Sequence, residues 1–367
     1  MFTQSFVALA VLSLFSSHVS AADSPFDPRA YAKSTVTCKA TNRAEGKEVD
    51  LSLSYVDINP SGKRTLLMWH GWPGLWSTWS KQIQEFKDDY RLIVPNVRGF
   101  ADSAHPGDVQ SSATIPDMVG DMACILEHAG VSSAVCMGHD WGGLTCYEAA
   151  RSRPDLFNWP YVLVEQLAAA LPRLTYQIYF KRRTNEAIAE LDKDIRRSLR
   201  AVFRTHASPP PDAFLQSQTE FLGAWADVAE IPPMPFFTPE EEDYLVEQFS
   251  IQGFQYSKSA IFSPQNNESS KYDSDQNRRA SWAFANAQGN HTIPQPTLSV
   301  LPTQDAVADW ALASKIMKST DYLPNLQTEL MDGSHWCHIE HSETFNAIAR
   351  KWLEQTFGAN QGGHDEL

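Results

Sequence analysis

Basic clusters are missing from this chain of 367 residues. Lysine and arginine together number 30 against 44 aspartates and glutamates, a formal net charge of −14, and no Lys/Arg block or zinc-finger spacing occurs. Nucleic acid is therefore a poor candidate partner. Cysteine is scarce as well: the five, at 38, 124, 136, 146 and 337, are too widely spaced for a metal pattern. An odd number leaves at least one thiol free if the others pair. Cys136 falls inside an apolar run and reads as a small buried hydrophobe, while a bridge from Cys38 or Cys337 stays open. Past the first residues no apolar stretch is long enough to span a bilayer. What the chain does have is core material, with 43% hydrophobic and 20% charged residues. That suits one large domain with an insertion, or two domains.

The two ends carry targeting signals. Phe6 to Phe15 is a short apolar segment followed by small residues up to Ala21 and Ala22, the pattern of a secretory signal peptide, though no Lys or Arg precedes it. The last four residues, His364-Asp-Glu-Leu367, form an endoplasmic-reticulum retrieval signal, which implies its receptor as a partner. The expected location is the lumen of that compartment, where disulfides are permitted. Sequons at Asn267 and Asn290 predict glycosylated, exposed loops.

Between Ala22 and Thr37 the chain is polar and is expected to wrap the surface. Val49 to Ile58 alternates apolar with polar residues and reads as a half-buried strand. Short apolar runs follow at Thr65–His70, Arg91–Asn96, Val135–Gly138 and Tyr161–Glu165, separated by helical stretches up to Phe86 and over Ile115–His128. Strands alternating with helices predict a mostly parallel sheet with helices on both faces. In such sheets ligands bind beyond the carboxyl ends of the strands, near which His70, Asn96 and Asp140 fall. From about Ala168 to Pro294 that rhythm stops, and an amphipathic piece over Asn185–Phe203, a break at Ser208–Asp212 and a polar tract at Pro264–Arg279 suggest a helical lid. Strand-like runs resume at Pro296–Asp305 and Leu326–Met331, before an amphipathic helix over Glu343–Phe357.

The chemistry centres on Gly138-His-Asp140-Trp-Gly-Gly143. An apolar strand running into this pattern turns sharply into a helix and pushes one side chain out, as in the Gly-x-Ser-x-Gly elbow of hydrolases. Here that side chain is Asp140, a carboxylate nucleophile. The ester it forms must be cut, which His335, after the last strand, can do by deprotonating water. Asp305, at the end of the preceding strand, can orient the imidazole and stabilise its charged form. The order Asp140, Asp305, His335 is the nucleophile-acid-base order of the α/β-hydrolase arrangement. His338 and His341 lie beside His335, but with only Glu340 near them they make no convincing zinc site. They read as a solvated helix face, and no cofactor is expected.

Four motifs, His70-Gly-Trp-Pro73, Arg98-Gly-Phe-Ala-Asp-Ser103, Gly138–Gly143 and Gly333-Ser-His335-Trp336, resemble those of soluble-type epoxide hydrolases in the epoxide hydrolase and haloalkane dehalogenase branch of the α/β hydrolases. The resemblance spans about Val49 to Phe357. It implies an α/β-hydrolase fold with a helical lid insertion, a cis Trp72–Pro73 bond, and an oxyanion hole from the backbone N–H groups of Trp72 and Trp141. It also implies lid tyrosines that stabilise the opening epoxide oxygen, since an alkoxide leaves poorly without a donor. Tyr176 takes the first of these places, with Tyr179 read as packing. Ile261 falls where the second tyrosine belongs, which leaves Tyr256 and Tyr272 as candidates on either side. The organisation implied is a signal over 1–22, the first part of the core over 23–167, the lid over 168–294, the second part over 295–360 and a tail over 361–367. The expected reaction turns an apolar epoxide into a vicinal diol through an ester on Asp140. Trp69, Trp72, Trp141 and Trp336 suggest the apolar substrate. A dehalogenase-like hydrolase and a weakened binding protein of the same fold are the alternatives.

Overall fold

The computed structural model describes residues 25–108, 111–152, 171–257, 292–316 and 318–358. The signal segment, the terminal tetrapeptide, both sequon asparagines, the run at 161–165, Ile261 and Tyr272 lie outside the described residues.

Five strands form the main sheet: β1 (Lys33–Asn42), β2 (Lys47–Ile58), β3 (Thr65–Trp69), β4 (Arg91–Pro95) and β5 (Val135–Gly138), in the order β1-β2-β4-β3-β5. β1 and β2 pair antiparallel, as do β2 and β4, whereas β3 runs parallel to both β4 and β5. A second parallel pair, β6 (Thr297–Pro302) and β7 (Leu326–Met331), carries the later part of the chain. β3 is buried along its whole length, as a near-continuous apolar run demands in a strand covered on both faces. Alternate residues serve opposite layers. Leu67, Trp69 and Ile93 pack with Met118, Met122 and Ile125 of α2 (Ile115–His128), while Leu66, Met68, Leu92 and Val94 pack with Ile83 and Phe86 of α1 (Ser80–Phe86). The C-terminal helix covers that second face through Ala349 and Leu353.

β5 leads into α3 (Trp141–Ser152) with only two residues between them. Lid helices follow: α4 (Tyr176–Arg182), α5 (Thr184–Asp192), α6 (Ile195–Val202) and α7 (Pro239–Phe249). After β6 come α8 (Trp310–Ile316) and α9 (Ser319–Tyr322), and after β7 the single turn α10 (Cys337–Glu340) and α11 (Ser342–Phe357).

Three expectations are corrected here. The supposed surface wrap before Thr37 includes the start of β1, whose inward residues are Val36, Cys38, Ala40 and Asn42. The amphipathic piece 185–203 is two helices, because Asp194 adopts an extended backbone and caps α6 by accepting the Arg197 N–H at 2.9 Å. Cys136 is no plain hydrophobe: it is bonded to Cys146, and Cys38 is bonded to Cys124, which leaves Cys337 as a buried free thiol.

Candidate active site

The elbow follows from close backbone approach. A Cβ on Gly142 would collide with the Trp69 carbonyl of the neighbouring strand, so only glycine lets the start of α3 come in so near. Between strand and helix Asp140 takes a left-handed backbone, φ 55°, a strained conformation for a residue with a side chain. The carboxylate emerges beside the loop after β3. Gly71 must also lack a side chain, since its Cβ would meet Asp140 Oδ1. The next residue supplies a donor: the Trp72 N–H reaches Oδ1 at 2.9 Å. The Trp141 N–H also bonds the carboxylate. The Trp72–Pro73 peptide is cis.

The loop after β3 is pinned by His70. Its Nε2 accepts the Val97 N–H at 3.0 Å, so the proton sits on Nδ1 and is donated to the Gly71 carbonyl at 2.9 Å. Burial lowers this imidazole to about 4, which keeps it neutral and in that tautomer. Asn96 is likewise structural, accepting the Trp76 N–H and donating to Asp102.

His335 follows β7. Its Nδ1 lies 2.9 Å from Asp305 Oδ2 and its Nε2 3.7 Å from Asp140 Oδ2. Asp305 is almost fully buried, yet it also accepts the Val307 N–H at 2.8 Å and the Trp310 indole N–H at 2.6 Å. Burial alone would raise its carboxyl, but His335 and these donors outweigh burial and hold it below its ordinary value. Burial opposes charge on His335 too, and the Asp305 and Asp140 carboxylates overcome it, lifting the imidazole to about 9. Asp140 goes up instead: burial is the larger effect, partly offset by His335 and the two amides. The His335 ring therefore lies between two carboxyl groups, with Asp140 Oδ1 held by the Trp72 amide.

Further residues hold the loop that carries His335. His139 Nε2 bonds the His335 carbonyl at 2.9 Å, and its burial pushes it down to about 3, so it is a neutral donor. Glu340 accepts both the N–H and the hydroxyl of Ser334, at 2.7 and 2.6 Å, and the lid N–H of His206 at 3.1 Å. The expectation for His338 is overturned. It is buried, its ring centroid 4.2 Å from that of His139, because α10 turns inward against Trp79. Among the described residues no group of three or more His, Cys, Asp or Glu could hold a metal ion.

Above the loop after β3 the lid is aromatic. The Trp72 ring meets Phe180, Phe221 and Phe254 at centroid distances of 5.6, 5.9 and 6.1 Å. Tyr176, the first residue of α4, packs on the first two of these rings at 5.3 and 5.8 Å. Tyr179 is buried and donates its hydroxyl to Glu190, which also accepts the Phe221 and Leu222 N–H groups. Tyr256 stacks on His105 at 4.9 Å and packs against Gly99, so its described contacts are with the loop after β4. Of the four tryptophans, Trp69, Trp72 and Trp336 are core, the last stacked on Phe203 at 4.2 Å. A small cavity lies between Trp141, Gly71, Val97, Phe100 and Met118.

The structure thus gathers Asp140, Asp305, His335, Trp72 and Trp141 at one point, while Tyr176 packs on Phe180 and Phe221, two of the rings that touch Trp72. The supports from His139, Trp310 and Glu340 were not expected from sequence. His139 sits inside the elbow motif and could have been flagged there, whereas nothing in the spacing marks Trp310 or Glu340.

Comparison with known proteins bears on the fold. A family model described as alpha/beta hydrolase fold matches residues 64–158. The mouse protein named bifunctional epoxide hydrolase 2 is 26% identical over 329 residues, covering 83% of this chain and 56% of the mouse protein. The chain thus spans little more than half the length of that relative. Mouse epoxide hydrolase 4 is 32% identical over 146 residues, 37% of this chain and 40% of its own length. Among solved structures, epoxide hydrolase A from Mycobacterium thermoresistibile superposes with a TM-score of 0.66 at 22% identity, covering 88% of this chain and 98% of its own. An epoxide hydrolase from an endophytic Streptomyces gives 0.68 at 20%, covering 88% and 95%. The fold is that of the α/β hydrolases.

Proposed function

We propose that this α/β-hydrolase-fold chain, a relative of epoxide hydrolases, opens an apolar epoxide to a vicinal diol through a covalent ester on Asp140. The observation that carries the reading is the line Asp140–His335–Asp305, in which Trp72 holds Oδ1 while Oδ2 faces the imidazole at 3.7 Å. Oδ2 attacks an epoxide carbon, the C–O bond breaks, and the oxygen takes a proton from a lid donor, for which Tyr176 is the proposed residue. Oδ1 becomes the carbonyl oxygen of the ester. His335 then removes a proton from water, which adds to the ester carbon while negative charge on Oδ1 is met by the Trp72 and Trp141 N–H groups. Collapse breaks the bond from the ester carbon to the substrate oxygen, which takes the proton held by His335 as the diol leaves, and the acid proton left on Asp140 returns to Tyr176, restoring the carboxylate. Phe180, Phe221 and Phe254 around Trp72 support an apolar substrate. Work in an oxidising secretory lumen belongs to the same proposal, and the two disulfides support it.

A single turnover in heavy-oxygen water tests the ester. The diol released should be unlabelled and the label should stay in Asp140, because the oxygen passed to product comes from the carboxylate. Label in the first diol would mean direct attack by water and would end this reading.

A further inference from the structure

We infer that the Cys136–Cys146 disulfide is a clamp that positions the nucleophile elbow, an inference that rests on Asp140 being the nucleophile. Cys136 lies on β5 two residues before Gly138, and Cys146 lies on α3 five residues after Trp141. The bridge therefore joins the two arms of the turn. Inside the ring it closes are Asp140, the Trp141 N–H that bonds the carboxylate, and His139, which holds the His335 carbonyl.

The turn needs such a restraint. Asp140 is held in the left-handed region at φ 55°, a conformation that persists in a residue with a side chain only where its surroundings enforce it. Among the described residues β5 is hydrogen-bonded to β3, which ties one of its sides by a backbone ladder. The noncovalent ties within the elbow are ordinary hydrogen bonds: His139 N–H to Trp69 O at 3.3 Å, Gly142 N–H to His139 O at 2.9 Å, Gly143 N–H to Asp140 O at 3.0 Å, and the Thr145 hydroxyl to Trp141 O at 3.0 Å. If the arms part, the carboxylate and the Trp141 donor leave their places together. Geometry of this kind is where small displacements cost rate.

The other bridge supplies the contrast. Cys38–Cys124 joins β1 to α2 and closes a separation of 86 residues against 10 for the elbow bridge. Its strand lies at the far end of the sheet from β5. Chain entropy assigns the longer loop the greater stabilisation, yet it restrains no part of the elbow. Stability and rate should therefore separate between the two bridges.

The experiment compares Cys136→Ala/Cys146→Ala with Cys38→Ala/Cys124→Ala in the full chain. It reads melting temperature, hydrogen exchange of the peptide covering 137–145, and the single-turnover rate of Asp140 esterification by styrene oxide, followed by intact mass. The elbow variant should esterify at least tenfold more slowly and exchange faster over 137–145. The remote variant should lose more melting temperature while keeping both elbow readouts within twofold of wild type. Wild-type rate and exchange in the elbow variant would overturn the clamp, as would equal rate losses in the two variants. Should the alanine pair not fold, Cys136→Val/Cys146→Ala, which retains volume in the strand without the link, is read by the same criteria. If the wild-type chain forms no ester, the nucleophile reading fails on its own, and exchange over 137–145 still decides the clamp: faster supports it, unchanged overturns it.

Discussion

In the proposed mechanism His335 acts as a base toward water, yet the neighbouring carboxylates lift its imidazole to about 9. The contradiction resolves once the neighbours are taken in turn. Asp305 supplies most of the upward pull and keeps its charge throughout, whereas the smaller contribution of Asp140 vanishes when that carboxylate becomes a neutral ester. Esterification therefore lowers the pKa of the base at the step that needs it unprotonated. The sign gives a prediction. Ester hydrolysis should speed up as pH rises and level off at a pKa below about 9, the resting value. Asp140→Asn, with the amide verified by mass, imitates the uncharged state, so NMR titration should place His335 lower in this variant than in wild type. Equal values would show that Asp140 does not tune the base. At this scale the sequence was informative where a residue stands in a motif or at a strand end, as Asp140, Asp305 and His335 do. It was silent on Trp310, whose indole reaches Asp305 at 2.6 Å only because α8 folds back, and on the partner of Cys136, since pairing is a spatial fact that spacing does not encode.

Among the elements, α2 shows how a helix serves the site from a distance. Its Asp121 forms a two-pronged pair with Arg98, at 2.6 and 2.7 Å, with both side chains nearly inaccessible. Arg98 completes its bonding on the Ser112 and Asp117 carbonyls and so fastens the turn after β4 to the helix. Removing the charge of one partner leaves the other buried and uncompensated, which costs about 3–5 kcal/mol. Asp121→Asn is expected to lose about that much in urea unfolding, and a loss below about 1 kcal/mol would mean the pair does not hold this turn. α2 was also the most legible element: Met118, Met122 and Ile125 fall on one face, and the expected bounds coincide with those observed. β3 was legible for a related reason, being a short, mostly apolar run. β1 was not, because its buried face is only Val36, Cys38, Ala40 and Asn42 between exposed lysines and threonines. A strand at the edge of a sheet with one wet face and small inward residues carries little hydrophobic contrast. α10 misled for the opposite reason, since a histidine-rich turn looks solvated until packing against Trp79 and His139 buries it.

Over the whole molecule, buried neutral histidines govern the response to mild acid. Burial lowers His70 to about 4, His139 to about 3 and His338 well below its ordinary value, while in the unfolded chain each titrates near 6.5. Between these values the unfolded state binds more protons than the folded state, so stability must fall as pH falls. By pH 5 His70 and His139 each account for a loss on the order of 2 kcal/mol, a large share of the roughly 5–15 kcal/mol that holds a typical fold. The His335–Asp305 pair adds no loss in this range. The stabilisation from His335, whose folded value is raised to about 9, is fully present below about 6.5 and is lost only as pH climbs through the folded value. Asp305, whose value is lowered, keeps its contribution until pH drops below the ordinary carboxylate range. The window between pH 7 and 5 thus belongs to the buried neutral rings. His338 is the one to remove, because its Nδ1 is buried with no hydrogen-bond partner among the described residues, so an apolar side chain forfeits no bond there. Urea unfolding of wild type should show a pronounced loss of stability between pH 7 and pH 5, and His338→Leu should show a smaller one. An identical loss in both proteins would place the acid sensitivity elsewhere and would remove His338 from the set of groups that resist protonation in the fold.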